Sequence, residues 1–90
     1  MLLRHAIGSA LRRLRLARGK TLRQLAEESR VSVPYLSEIE RGRKEASSEI
    51  LAQLCRVLDI TEAGLLDEVR HEYAVAEAVP ARETAMVLAA

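Results

Sequence analysis

Along the first stretch of the chain, Leu3, Ile7, Leu11 and Leu14 recur every three or four residues, which places them on one face of a helix from about Leu3 to Arg18. Arg12, Arg13 and Arg15 fall between them, and Gly19 follows as a stop signal. A second periodic segment opens at Thr21. Its Thr-Leu-Arg-Gln sequence has the form of a capping box, in which the Thr21 hydroxyl accepts from the Gln24 N–H and the Gln24 side chain reaches back. Leu22, Leu25 and Ala26 supply the inner face of this helix, which ends near Ser29. After a very short turn, Ser32 caps a third helix. Pro34 lies in its first turn, where a missing N–H is tolerated, so the capping bond falls to Tyr35. Leu36 and Ile39 point inward, and Gly42 ends the helix after Arg41.

Two further helices follow. Ser47 or Ser48 caps the fourth, whose buried stripe is Ile50, Leu51, Leu54, Cys55 and Leu58, with Glu49 placed favourably for the helix dipole. The fifth starts at Thr61, carries Leu65, Leu66, Val69, Tyr73 and Ala76 on one face, and is expected to run to Val79, before Pro80. The residues beyond Pro80 are apolar but short, and are expected to be mobile or docked on a partner. No segment has the period of a strand, so the expected fold is all-α.

Composition narrows this picture. The chain has 90 residues, with Tyr35 and Tyr73 as its two aromatics and neither Phe nor Trp. Ala, Leu, Arg and Glu, all good helix formers, dominate. One small domain of this size has a marginal core, which favours oligomerisation or tight helix packing. Cys55 is the single cysteine, so no internal disulfide forms and a reducing compartment fits. The opening MLLRHAIGSA has too short an apolar run for a secretory signal, and no stretch has the length of a membrane span. These features lead us to expect a cytoplasmic protein.

The net charge of +1 conceals a division. Residues 1–44 hold eleven Lys/Arg against four Asp/Glu, and residues 45–90 hold three against nine. A basic half joined to an acidic half suggests a surface for a polyanion. Charge alone does not separate that from ordinary solvated helix faces.

The segment from Leu22 to Arg41 adds geometry to charge. Two short helices that cross steeply need a small residue at the contact, supplied by Ala26, and an apolar plug in the turn, supplied by Val31. The second helix needs two inward residues three apart, supplied by Leu36 and Ile39. Together these form the layout of a helix-turn-helix.

Over Gly8 to Leu66 the chain resembles the Cro/C1 repressor type, the XRE family, through LRRLRLARGKTLRQLA, VSVPYLSEIERG and SSEILAQLCRVLDI. It departs from that pattern at Arg30, where such motifs usually carry glycine for a left-handed backbone. VSVPYLSEIERGRKEASSEIL, with its Lys-Glu-x-Ser-Ser-Glu, is similar to the actinobacterial regulators of Clp protease genes. The resemblance implies a five-helix lambda-repressor-like DNA-binding domain, residues 1–66, and a C-terminal helical extension, residues 67–90. It implies an activator of proteolysis and stress genes, working as a dimer on double-stranded DNA without a cofactor.

Carried over residue by residue, the resemblance gives Ser32, Val33, Pro34, Ser37 and Glu38 to base reading. Val33 and Pro34 offer apolar contact, Ser37 bonds several bases and Glu38 accepts from cytosine N4. Thr21, Arg23, Tyr35, Arg41, Arg43 and Lys44 fall at phosphate-contacting positions, with Arg41 or Arg43 also placed to reach a guanine. Arg15 and Glu40 correspond to a structural salt bridge between the first and third helices. Leu66, Val69, Tyr73 and Ala76 are expected to form a dimer contact, the alternative being packing of the same residues on the first helix.

Other readings carry less. His5 and His71 lack metal-ligand spacing with Cys55, and Cys55 is expected to be a packed thiol. No nucleophile motif or phosphate loop is present, so no enzyme is expected. The C-terminal Val87, Leu88, Ala89 and Ala90 resemble the apolar end of a degradation tag, which suggests Clp protease as a partner. The competing function is an antitoxin of a toxin–antitoxin pair, built on the same fold.

Overall fold

Short-range side-chain bonds set where the helices begin. This computed structural model describes the backbone of residues 1–89 and the side chains of residues 1–78. Helix α1 (Leu3–Ala17) starts without a side-chain cap. Helix α2 (Leu22–Ser29) carries the complete capping box, with Gln24 N–H donating to Thr21 Oγ1 at 3.1 Å and Thr21 N–H to Gln24 Oε1 at 2.8 Å. In α3 (Val33–Glu40) the Ser32 hydroxyl accepts from Tyr35 N–H at 3.3 Å, the first donor that Pro34 leaves in reach. Ser47, not Ser48, caps α4 (Ser48–Val57). Thr61 Oγ1 accepts from Gly64 N–H at 2.9 Å at the start of α5 (Glu62–Ala89).

One device ends all of the first four helices. The backbone N–H of Lys20, Val31, Arg43 and Ile60 donates to the carbonyl five residues back, on Arg15, Ala26, Glu38 and Cys55 respectively. The residue before each donor is left-handed: Gly19 at φ 68°, Arg30 at 59°, Gly42 at 73° and Asp59 at 54°. This is the Schellman arrangement, which satisfies end carbonyls and turns the chain sharply. Glycine takes it without cost at two turns. Arg30 and Asp59 take it at the expense of a Cβ clash. Helix α5 continues past Val79, where Pro80 led us to expect a stop. Proline removes one helical bond but does not by itself turn the chain away.

Helix α1 is the centre of the packing: it lies against α3 and α5, while α2 lies against α3 and α4, and α4 against α5. The core joins Ala6, Ala10, Leu11 and Leu14 to Leu25, Ala26, Val31, Leu36, Ile39, Leu54, Cys55, Leu58, Leu65 and Val69. Leu3 is exposed, and the buried face of α1 joins Leu11 and Leu14 with the small Ala6, Gly8 and Ala10. The reason is proximity. A Cβ at Gly8 would stand 2.2 Å from the Ile39 carbonyl oxygen, so the end of α3 rests on the α1 backbone itself. Ser29 is buried too, its hydroxyl donating to the Leu25 carbonyl at 2.6 Å.

The expected boundary between residues 66 and 67 falls inside α5, and the core reaches beyond it through Val69 and the half-buried Tyr73. Val69 therefore belongs to the monomer's own interior, which corrects its assignment to a dimer contact. Leu66 stays 68% exposed and Val75 53%, and the expectations for Val87 to Ala90 lie outside the described side chains.

Two outcomes follow from these placements. Arg30→Gly should stabilise the fold by about 1 kcal/mol, raising Tm by roughly 4–8 °C in thermal denaturation, because the left-handed turn is kept without the Cβ clash. Burial pushes the Cys55 thiol up from its ordinary value of 9.0, and the charge of Glu62 adds to the effect. The folded chain then holds a proton that the unfolded chain releases, so stability falls as pH rises above about 9. Cys55→Ala should flatten that alkaline slope in urea melts at several pH values.

Candidate nucleic-acid interface

The angle of α3 against the rest of the molecule is held by one ion pair. Arg15 Nε donates to Glu40 Oε2 at 2.8 Å and Nη2 to Oε1 at 2.9 Å, while Nη1 donates to the Lys20 carbonyl at 2.9 Å. The two side chains are 10% and 6% exposed. The bonds to Glu40 hold the Arg15 guanidinium above its ordinary range, against the opposing pull of burial. A single guanidinium thus ties α1, the α1–α2 turn and the last residue of α3.

Several other cations are committed in the same way. Arg4 Nε donates to the Gly42 carbonyl at 3.0 Å, and Arg18 Nε to the Leu58 carbonyl at 2.8 Å. Arg13 bonds both Glu68 and Glu72 of α5, the latter at 2.8 Å, and these bonds raise its pKa. Lys20 pairs with Glu28 at 2.8 Å. These residues bind the fold together. Among the described residues Arg12, Arg23, Arg30, Arg41, Lys44 and Arg56 have neither an ion pair nor a side-chain hydrogen bond, and four of these six, Arg23, Arg30, Arg41 and Lys44, lie on α2 or at the ends of α2 and α3.

On α3 itself Ser32, Val33 and Pro34 are exposed at the N-terminal end, and Ser37 and Glu38 are half-buried farther along. Inward-facing Leu36 and Ile39 anchor the opposite face in the core, which fixes the direction in which these five look. Arg43 Nη1 stands 3.9 Å from Glu38 Oε1, so the carboxylate has a cation beside it without being sealed by one. Thr21 and Arg23 are exposed at the start of α2, and Arg41, Arg43 and Lys44 are exposed where α3 ends. Tyr35 departs from this group. Its hydroxyl donates to the Glu45 carbonyl at 2.9 Å, so its one proton anchors the α3–α4 loop instead of standing ready for an anion.

Sequence reasoning passed over Arg12, which lines a cleft of about 460 Å³ together with Arg15, Leu22, Ser37, Glu40 and Arg41. It also passed over Arg4, Arg13 and Arg18, whose partners lie 38 to 59 residues away in the chain. His5 and His71 are exposed, and among the described residues no cluster of His, Cys, Asp or Glu could hold a metal ion. No described helix is long and apolar enough to cross a membrane.

An exposed α3, packed on α2 beside Ala26 and Val31 and tied to α1 by an ion pair, is the layout of a groove-reading motif. The pattern of the Helix-turn-helix family matches residues 11–65. The chain belongs to this helix-turn-helix family, of the XRE type. Its relatives are transcriptional regulators. The helix-turn-helix chain is 51% identical over 59 residues to the transcriptional regulator ClgR of Mycobacterium tuberculosis, a match that covers 66% of this chain and 53% of that protein. It therefore spans about half the length of the curated relatives it matches. The crystal structure of the clp gene regulator ClgR from Corynebacterium glutamicum superposes with a TM-score of 0.86 at 51% identity, covering 98% of this chain and 92% of that one. The restriction-modification controller protein C.Esp1396I, solved as a tetramer on its natural 35-base-pair operator, shares the helix-turn-helix fold with a TM-score of 0.74 at 22% identity, over 80% of this chain and 95% of its own. These relatives lend the antitoxin alternative no support.

Breaking the central ion pair should expose its role. Glu40→Ala leaves a buried guanidinium without its carboxylate and should cost about 3–5 kcal/mol in urea denaturation. DNA affinity should fall with it, since α3 loses the contact that sets its angle.

Proposed function

We propose that this chain reads operator DNA as a homodimer and regulates Clp protease genes. The observation that carries the reading is the company α3 keeps: its exposed face is flanked by cations that have no partner among the described residues. Ser32, Val33, Pro34, Ser37 and Glu38 contact base edges in the major groove, and Thr21, Arg23, Arg41, Arg43 and Lys44 contact the backbone on either side. Tyr35 supports these contacts by holding the loop that carries Lys44. The likeness to the clp gene regulator ClgR supports Clp protease genes as the targets.

The inner side of α5, through Leu65 and Val69, belongs to the reading head, and its other side serves dimerisation with Leu66, Tyr73 and Ala76 as the contacts. The exposed Leu66 shares one side of α5 with Tyr73, two turns on, which gives an apolar strip that a second copy would cover. Two-fold pairing sets two α3 helices one turn of DNA apart, about 34 Å.

Fluorescence anisotropy on a Clp protease promoter duplex and on a shuffled duplex, at two salt concentrations, tests the reading. The expected result is a preference of at least ~10³ for the promoter and a steep loss of affinity with salt. Equal, weak binding to both duplexes would remove the claim of sequence-specific reading.

A further inference from the structure

We infer that Arg12, on α1, clasps a DNA backbone phosphate together with Arg41, so that the first helix belongs to the binding surface as well as to the scaffold. The inference rests on the DNA-binding reading above. It comes from the cleft between α1, the start of α2 and the end of α3, lined by Arg12, Arg15, Leu22, Ser37, Glu40 and Arg41. Three guanidinium groups meet one carboxylate there. Arg15 and Glu40 neutralise each other through paired hydrogen bonds at 2.8 and 2.9 Å, which leaves Arg12 and Arg41 as the uncompensated charges on the same cleft.

Two like charges facing one solvent-filled space repel, and an anion set between them converts that repulsion into two attractions. Guanidinium is suited to such an anion, because its planar fork donates to two phosphate oxygens at once. The position selects the source of the phosphate. Ser37 borders both the cleft and the outward face of α3, so a duplex lying against that face brings its backbone to the cleft mouth. Neither cation needs to abandon a partner to reach it. That separates Arg12 from its neighbour Arg13, whose donors are held by Glu68 and Glu72.

The test measures the salt dependence of DNA binding for the parent, for Arg12→Gln and for Arg56→Gln. Arg56 is an exposed cation on α4 outside the cleft. Clp promoter and shuffled duplexes are titrated with each protein over a range of potassium chloride. Removing one phosphate contact should make the slope of log K against log salt shallower by about 0.9 for each protomer bound, equally on both duplexes. The preference between duplexes and the Tm should stay at the parent's values, and Arg56→Gln should keep the parent's slope. An Arg12→Gln slope equal to the parent's overturns the clasp. So does a loss of preference between duplexes, which would make Arg12 a base reader, or a fall in Tm that accounts for the weakened binding. A parent that binds neither duplex sinks the DNA-binding reading itself, an outcome distinct from a parent that binds and an Arg12→Gln variant that binds equally well.

Discussion

The fork of bonds between Arg15 and Glu40 is the constraint on which the rest of the molecule depends. A buried ion pair gives little net stability, because desolvation offsets much of its attraction. What it gives here is position. Both carboxylate oxygens and three guanidinium donors are used, and one of those donors is spent on the Lys20 carbonyl. Helix α3 therefore has one angle at which no buried charge is left unsatisfied. The contact at Gly8 acts in the same place by shape, since any side chain there would strike the Ile39 and Glu40 carbonyls. Charge and shape agree on where the end of α3 rests, and the outward face of α3 follows from that.

The basic half of the chain divides into two populations with different work. Arg4, Arg13, Arg15 and Arg18 spend their donors on carbonyls and carboxylates of distant segments, and so serve as staples for a core poor in aromatics. Arg23, Arg41 and Lys44 are left to solvent around α2 and α3. A count of charges along the sequence merges these populations. Only the folded arrangement shows that the surplus positive charge collects beside the reading helix.

What could be read from sequence was local. The caps at Thr21 and Ser32 were legible because donor and acceptor lie within three residues of each other. Ala26, Val31, Leu36 and Ile39 were legible because a steep helix crossing demands those sizes at that spacing. The face of α1 was legible at Ile7, Leu11 and Leu14 but not at its start, where Leu3 is exposed and Ala6, Gly8 and Ala10 are buried instead, with Gly8 at the close approach to α3. Small residues mark a contact only when the neighbour is known. The role of Tyr35 was hidden for a related reason, since its partner is a backbone carbonyl, which no sequence pattern advertises. Val69 was drawn both ways by its periodicity, and the packing of α5 on α1 and α4 placed it in the core.

The passage of α5 through the core has a consequence for the length scale of the assembly. Leu65 and Val69 seat the early turns of α5 firmly, and Arg13 grips it again at Glu68 and Glu72, with no break in the helix at the expected domain boundary. Any second copy held by the outer side of α5 would meet a rigid strut, not a tether. The gap between paired reading heads would then be gauged by a helix that advances 1.5 Å and rotates about 100° per residue. An insertion of one residue beyond Tyr73 would swing one head around the other as well as moving it away. Operator spacing, in such a molecule, is written in the phase of a helix far from the DNA.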